Sequence, residues 1–176
     1  MMPMPEPISI DEVNVLTPVE FRQRFGNIIE CCPDVAAALS SQRPFINVES
    51  MALAANRFLD QLQPQGKERV LLLHPDLAGR LAEQGQLTHE SSREQKSAGL
   101  DSLSPADKTR INELNKRYRA KFGFPFVICA RENKVANIFQ GLEARLSNAR
   151  ETELEIGINE VKKICRLRIR ELIYDN

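Results

Sequence analysis

His74, Glu94 and Arg168 are the side chains of this sequence whose types and settings point to proton transfer and anion stabilisation. The imidazole is the one side chain whose ordinary titration lies near neutral pH, so a general acid is expected among the two histidines, His74 and His89. His74 ends the apolar run Val70-Leu71-Leu72-Leu73 and precedes Pro75, whose ring biases it towards extended backbone. Pro75-Asp76 is expected to open a short helix ending near Gly85, which puts His74 at a helix start on the edge of the core. There it serves either as a structural capping residue or as a proton donor. His89 lies in a polar stretch and is expected in solvent.

That stretch, residues 88–97, is nearly all polar, and Ser91, Glu94, Gln95 and Ala98 share one helical face by their spacing. A helix polar all round is either solvated or lines a polar site. Ser91-x-x-Glu94 also fits a capping box, but Ala98-Gly99-Leu100 follow at once and lead into something buried or tight. Arg168 breaks the rules differently. At 100° per residue, Val161, Ile164, Cys165, Arg168 and Leu172 fall within about 60° of one line, while Lys162, Lys163, Arg166 and Arg170 point elsewhere. One guanidinium therefore emerges from an apolar stripe. It is a snorkelling side chain, a buried ion pair, or a fork of donors aimed at a carboxylate or carbonyl.

The elements that must carry these residues read as helices. Thr17-Pro18-Val19-Glu20 is a helix start, with Phe21 and Phe25 following at i, i+4. Pro33-Asp34 opens a second helix. A third spans about 48–62 with a stripe of Met51, Ala54, Phe58 and Leu62, and Gln63-Pro64-Gln65-Gly66 ends it. Ser104-Pro105-Ala106-Asp107 starts a helix that runs to Gly123, a C-terminal stop. Helices over about 133–146 and 150–173 complete the set. The run Phe124-Pro125-Phe126-Val127-Ile128-Cys129 has no partner strand and reads as an extended segment buried between helices. The expectation is an all-α, single-domain bundle of about eight helices over 1–176, with residues 1–8 a flexible start.

Composition narrows the class. Apolar residues at 42% and charged ones at 27% describe a globular chain. Twenty-four basic and 24 acidic side chains cancel, leaving no one-signed field to select nucleic acid or an anionic membrane. No apolar run approaches the roughly 20 residues that span a bilayer. The start has no secretory pattern, and Tyr174-Asp175-Asn176 is not a Ser-Lys-Leu peroxisomal signal. Cys31, Cys32, Cys129 and Cys165 lack metal-ligand spacing, so reduced thiols and no metal are expected.

The polar positions fall inside a recognisable pattern. His74-Pro75-Asp76-Leu77-Ala78-Gly79, Glu90-Ser91-x-x-Glu94-Gln95-x-x-Ala98-Gly99-Leu100, Leu114-Asn115, Tyr118, Lys121-Phe122-Gly123-Phe124-Pro125-Phe126-Val127-Ile128 and Glu160-Val161-x-x-Ile164-x-x-Leu167-Arg168 occur in this order. Together they resemble the OHCU (2-oxo-4-hydroxy-4-carboxy-5-ureidoimidazoline) decarboxylase family over about 21–172, and Phe25-Gly26-Asn27 with Ser41-Gln42-Arg43-Pro44-Phe45 resembles its animal branch. The resemblance implies an all-helical homodimer that converts OHCU to (S)-allantoin and CO₂ in urate degradation, without a cofactor. It implies His74, Glu94 and Arg168 as catalytic. It implies substrate contacts at Pro75, Ser91, Ser92, Arg93, Glu94, Gln95 and Arg168, and along Phe126, Val127, Ile128, Cys129 and Ala130. It implies a peroxisomal or cytoplasmic enzyme. Arg131-Glu132-Asn133 departs from relatives that carry a glycine near that point.

A decarboxylase without a cofactor uses its substrate as the electron sink. The protein must align the C–CO₂ bond with the ring unsaturation, stabilise the charge that develops and deliver one proton to one face. Two other classes stay open on the residues alone. One is a helical interaction module, which needs no pocket at His74, Glu94 and Arg168. The other is an enzyme acting on a different ureido compound. CO₂ release from freshly generated OHCU discriminates among them.

Overall fold

The computed structural model describes residues 3–176. Ten α-helices carry the fold among these residues, eight of them of eight residues or more. The architecture is all-α, as expected. Its described contacts group into two compact units, Met1–Gln63 with Lys162–Asn176, and Pro64–Val161.

The first unit holds β1 (Ile8–Ser9), α1 (Ile10–Val15), α2 (Pro18–Phe25), α3 (Pro33–Ser40), α4 (Val48–Asp60), the last turns of α10 (Arg150–Leu172) and β2 (Ile173–Tyr174). Local chemistry sets its helix starts. Thr17 and Glu20 exchange side-chain-to-backbone bonds in a capping box, and Asn47 with Ser50 does the same for α4. Side chains fix the loops. Asn14 pairs with both the N–H and the C=O of Phe45 at 2.8 Å, and Arg43 donates to the carbonyls of Val13 and Leu16. Phe21, Phe25, Ile29, Leu39, Met51, Leu59 and Ile169 are buried. Phe58 and Leu62, placed on the stripe of α4 by periodicity, are only half-buried; Ala55 and Leu59 take that face.

Two short strands were not expected. β1 and β2 pair in parallel, with Ile8 opposite Ile173. Two residues are too few for an alternation to show. The expected flexible start falls partly on Met1 and Met2, outside the described residues; at its other end Ile8 is held in the strand pair.

The second unit holds α5 (Pro64–Leu72), α6 (Arg80–Glu83), α7 (His89–Ser97), α8 (Pro105–Phe122), α9 (Val135–Arg145) and the first part of α10, with single 3-10 turns at Leu100–Ser102 and Ala130–Glu132. α5 is a correction. α4 ends at Asp60 with Gln61 as its C-cap, before Pro64 is reached, and Pro64 occupies the first turn of a new helix, where its fixed φ is an asset. α5 can lie close to α10 because Gly157 has no side chain: a β-carbon there would meet Leu71 at 3.0 Å. Gly123, at φ 82°, stops α8 as expected. Tyr118 sits among Phe122, Phe124 and Phe126 at centroid distances of 4.5, 6.2 and 5.4 Å. Residues 124–129 lie in no strand, and all of them except half-buried Ile128 are buried.

Candidate active site

His74 stands at the exit of α5, not at a helix start. Its N–H donates to the Leu71 carbonyl at 3.0 Å, closing the helix, and Pro75 prevents continuation. The expected helix from Pro75 is cut to Arg80–Glu83 because Ala78 takes a left-handed φ of 49°. His74 is 7% exposed. Its Nδ1 lies 2.8 Å from the Val70 carbonyl, which can only accept. The proton of the neutral ring therefore sits on Nδ1. Nε2 is then the nitrogen that accepts in the neutral ring and donates in the protonated one.

The turn after His74 has little backbone bonding of its own, and side chains hold it. Gln95 Oε1 accepts from the Ala78 N–H at 2.9 Å, and Gln95 Nε2 donates to the Asp76 carbonyl at 3.3 Å. Asn115 Nδ2 donates to the Leu77 carbonyl at 3.0 Å. Arg119 Nε pairs with Asp76 Oδ1 at 2.9 Å. Gly79 closes the turn where a β-carbon would lie 2.7 Å from the Asp76 β-carbon.

α7 begins one turn earlier than a Ser91 cap requires. Thr88 is the N-cap, its hydroxyl accepting from the Ser91 N–H at 3.2 Å. The Ser91-x-x-Glu94 pair therefore sits inside the helix, and the capping-box reading falls. Ser91 and Gln95 are buried and Glu94 is half-buried, so this polar face is not simply solvated. His89 is also a correction. It is half-buried, and its Nε2 is shielded from solvent without a hydrogen-bond partner among the described residues. Ser92, Gln95 and Lys96 line a cavity of about 220 Å³ together with Ala78, Leu100 and Lys108. Arg93 lies about 200° round the helix from Ser91, away from the face of Glu94 and Gln95.

The extended segment is braced by charges. Arg145 Nη1 donates to the Val127 carbonyl at 2.8 Å while its guanidinium lies 4.3 Å over the Phe126 ring. Arg145 Nε pairs at 2.7 Å with Glu153, which is fully buried and also accepts from Tyr118 and Asn148. Burial first, then the bond to Glu153, holds the Tyr118 phenol well above its usual range. Glu160 accepts from the Cys129 N–H at 3.1 Å, and Asn133 donates to the Cys129 carbonyl at 2.8 Å. Gly141 leaves room for Phe126 and Ile128. The turn Ala130–Glu132 packs against α7. Burial, followed by the negative charges of Glu132, Glu160 and Glu94, pushes the Cys129 thiol up to about 11.

Arg168 belongs to the first unit. It is 3% exposed, and Nη1 donates to Glu30 Oε1 at 3.2 Å and to the Asn27 carbonyl at 2.9 Å. The buried ion pair among its three sequence readings is therefore present. Glu30 itself was not singled out in the sequence, nor were Arg145 and Glu153. Asn115 carried a readable signal, a polar amide on the apolar stripe of Ile111, Leu114, Tyr118 and Phe122.

A family model described as OHCU decarboxylase matches residues 14–170. The chain belongs to the OHCU decarboxylase family. It is 47% identical over 162 residues to a protein of that enzyme name from Amia calva, covering 92% of this chain and 93% of that protein. The mouse protein of the same name is also 47% identical, with 92% and 91% covered. Among solved structures, an OHCU decarboxylase in the presence of (S)-allantoin shares 25% identity at a TM-score of 0.65, covering 78% of this chain and 89% of that one. An (S)-allantoin synthase superposes at a TM-score of 0.74 over 94% of this chain. This chain spans 54% of that protein, and at 22% identity the likeness is one of fold. The animal-branch resemblance is upheld by these identities to fish and mouse proteins.

Proposed function

We propose that this chain is a carboxy-lyase that converts OHCU to (S)-allantoin and CO₂ in urate degradation, with no cofactor. Family membership over nearly the whole length carries the reading. The C–CO₂ bond breaks, its electron pair delocalises into the unsaturated ring of the substrate, and one proton returns to one face. His74 delivers that proton from Nε2, its ring orientation set by the Nδ1 bond to Val70. Glu94 and Ser91 hold the substrate's N–H and C=O edges. Gln95 adds what its amide has left after bracing the turn. Ser92 and Arg93 stand as outer contacts. Pro75, Phe126 and Ile128 form dry walls, with the backbone of Val127, Cys129 and Ala130 along the rim, and the dryness raises the worth of each charge. Arg168 is assigned to the developing anion on the family resemblance, its guanidinium held in orientation by Glu30.

The test follows both halves of the reaction. OHCU is generated fresh, and CO₂ release and optical rotation are recorded together. Fast CO₂ release with optically active product supports the reading. Racemic product at the uncatalysed rate overturns it.

The family resemblance also leads us to a homodimer, to a peroxisomal or cytoplasmic home, and to one cooperative domain. Light scattering, imaging of the tagged chain and a single calorimetric transition test these in turn.

A further inference from the structure

We propose that Asn115 is a positioning residue for the decarboxylation, acting through the turn that presents His74 and never touching the substrate. This rests on the reading of His74 as proton donor. Asn115 is a buried amide on the apolar stripe of α8, where Ile111, Leu114, Tyr118 and Phe122 surround it in sequence. Packing alone favours an apolar side chain there. Its amide is spent on one backbone group, the Leu77 carbonyl at 3.0 Å, 38 residues away in the chain. Gln95 holds the groups on either side, the Asp76 carbonyl and the Ala78 N–H. Three consecutive residues are thus tied by side chains from two helices.

The turn needs these ties. Ala78 has a β-carbon and a φ of 49°, a conformation that relaxes unless its surroundings impose it. Between His74 and Leu77 stand only Pro75, whose φ is fixed by its ring, and Asp76, which Arg119 pins one helical turn beyond Asn115. Little slack remains, so a shift at Leu77 reaches the His74 backbone. The Nδ1 bond to Val70 sets the ring's rotation, but the path to the substrate depends on where the backbone stands. A displacement of about 1 Å in such a group can cost about 10²-fold in rate.

The experiment is a double-mutant cycle read by the initial rate of optically active allantoin formation, which separates enzyme turnover from spontaneous decay. Asn115→Leu keeps the size and removes the donor. It is expected to lower kcat by about 10- to 100-fold with little change in KM. In a His74→Ala background it is expected to cost nothing further, because the group it positions is gone. A merely structural Asn115 lowers Tm and leaves kcat per folded molecule intact. An unchanged kcat, or a loss that multiplies onto His74→Ala, overturns the proposal. Full turnover by His74→Ala overturns the His74 assignment instead, a separate outcome. If Asn115→Leu does not fold, Asn115→Asp carries the same cycle, since it sets a carboxylate against the Leu77 carbonyl. Arg119→Met, at the partly exposed end of the same brace, is expected to show a smaller loss with the same non-additivity.

Discussion

Two irregular segments of the second unit carry candidate residues, and they are held in different currencies. The turn at residues 74–79 is tied mainly by neutral amides, Gln95 and Asn115, with one partly exposed ion pair at Asp76. The extended run at residues 124–130 is tied by buried charge: Arg145 on Val127, Glu153 behind Arg145, and Glu160 on Cys129. An amide that loses its partner leaves a neutral dipole unsatisfied. A buried ion that loses its partner leaves a charge, which costs far more. Of these two segments, the run at residues 124–130 is therefore the one on which stability depends more. The turn that holds His74 can be disturbed at lower cost to the fold, and on the reading of His74 as proton donor damage there is expected to register chiefly in rate.

The sharpest way to break this comparison is Arg145→Met. It takes Arg145 from the fully buried Glu153 carboxylate, leaving it only the neutral donors Tyr118 and Asn148, and releases the Val127 carbonyl. The expected loss is about 3–5 kcal/mol, read by denaturant unfolding. A loss under about 1 kcal/mol, the ordinary worth of a surface pair, would remove the distinction. Gln95→Leu is expected next, at about 1–3 kcal/mol, because two bonds to the turn disappear while no charge is stranded. Its activity should fall by more than its stability implies. Equal losses for Arg145→Met and Gln95→Leu would show that the kind of brace does not matter.

A smaller effect lies in alkaline solution. Cys129 keeps its proton to about 11 in the fold against 9.0 when unperturbed. Below pH 9 both states hold the proton and the full contribution is present. Above it the unfolded chain releases the proton first and so binds fewer, and stability falls as pH rises towards 11. The slope is at most about 1.4 kcal/mol per pH unit for this thiol. Cys129→Ala should flatten the fall by one group; an unaltered slope would show that the segment does not shield the thiol.

What was legible in the sequence was the chemistry that is local. Thr17, Ser104 and Gly123 mark helix ends through bonds within four residues, and each stands where it was read. The run at residues 124–129 reads as a buried connection because the sequence offers it no partner strand. Pro64 reads as a helix stop, but α4 has already ended at Asp60 and Pro64 begins the next helix. The start of α7 hinges on Thr88, which removes the cap reading of Ser91, and the polar surroundings of His89 in sequence say nothing of the shielding of its Nε2. Arg168 was visible as a cation on an apolar stripe, but its partner Glu30 lies 138 residues away and no spacing rule reaches it. The same holds for Arg145, Glu153 and Asn115 as braces. Their partners are chosen by tertiary packing, so the family pattern pointed at the site while only the fold reveals what holds it.

The central claim is that His74 supplies the proton that makes decarboxylation fast and one-handed. The most direct measurement is CO₂ release and optical rotation on one sample of His74→Ala, with circular dichroism of that sample. The account predicts an intact helical spectrum, turnover lowered by about 10²–10⁴, and loss of optically active product in step with loss of rate. Undiminished, stereospecific CO₂ release from a folded His74→Ala protein would contradict it.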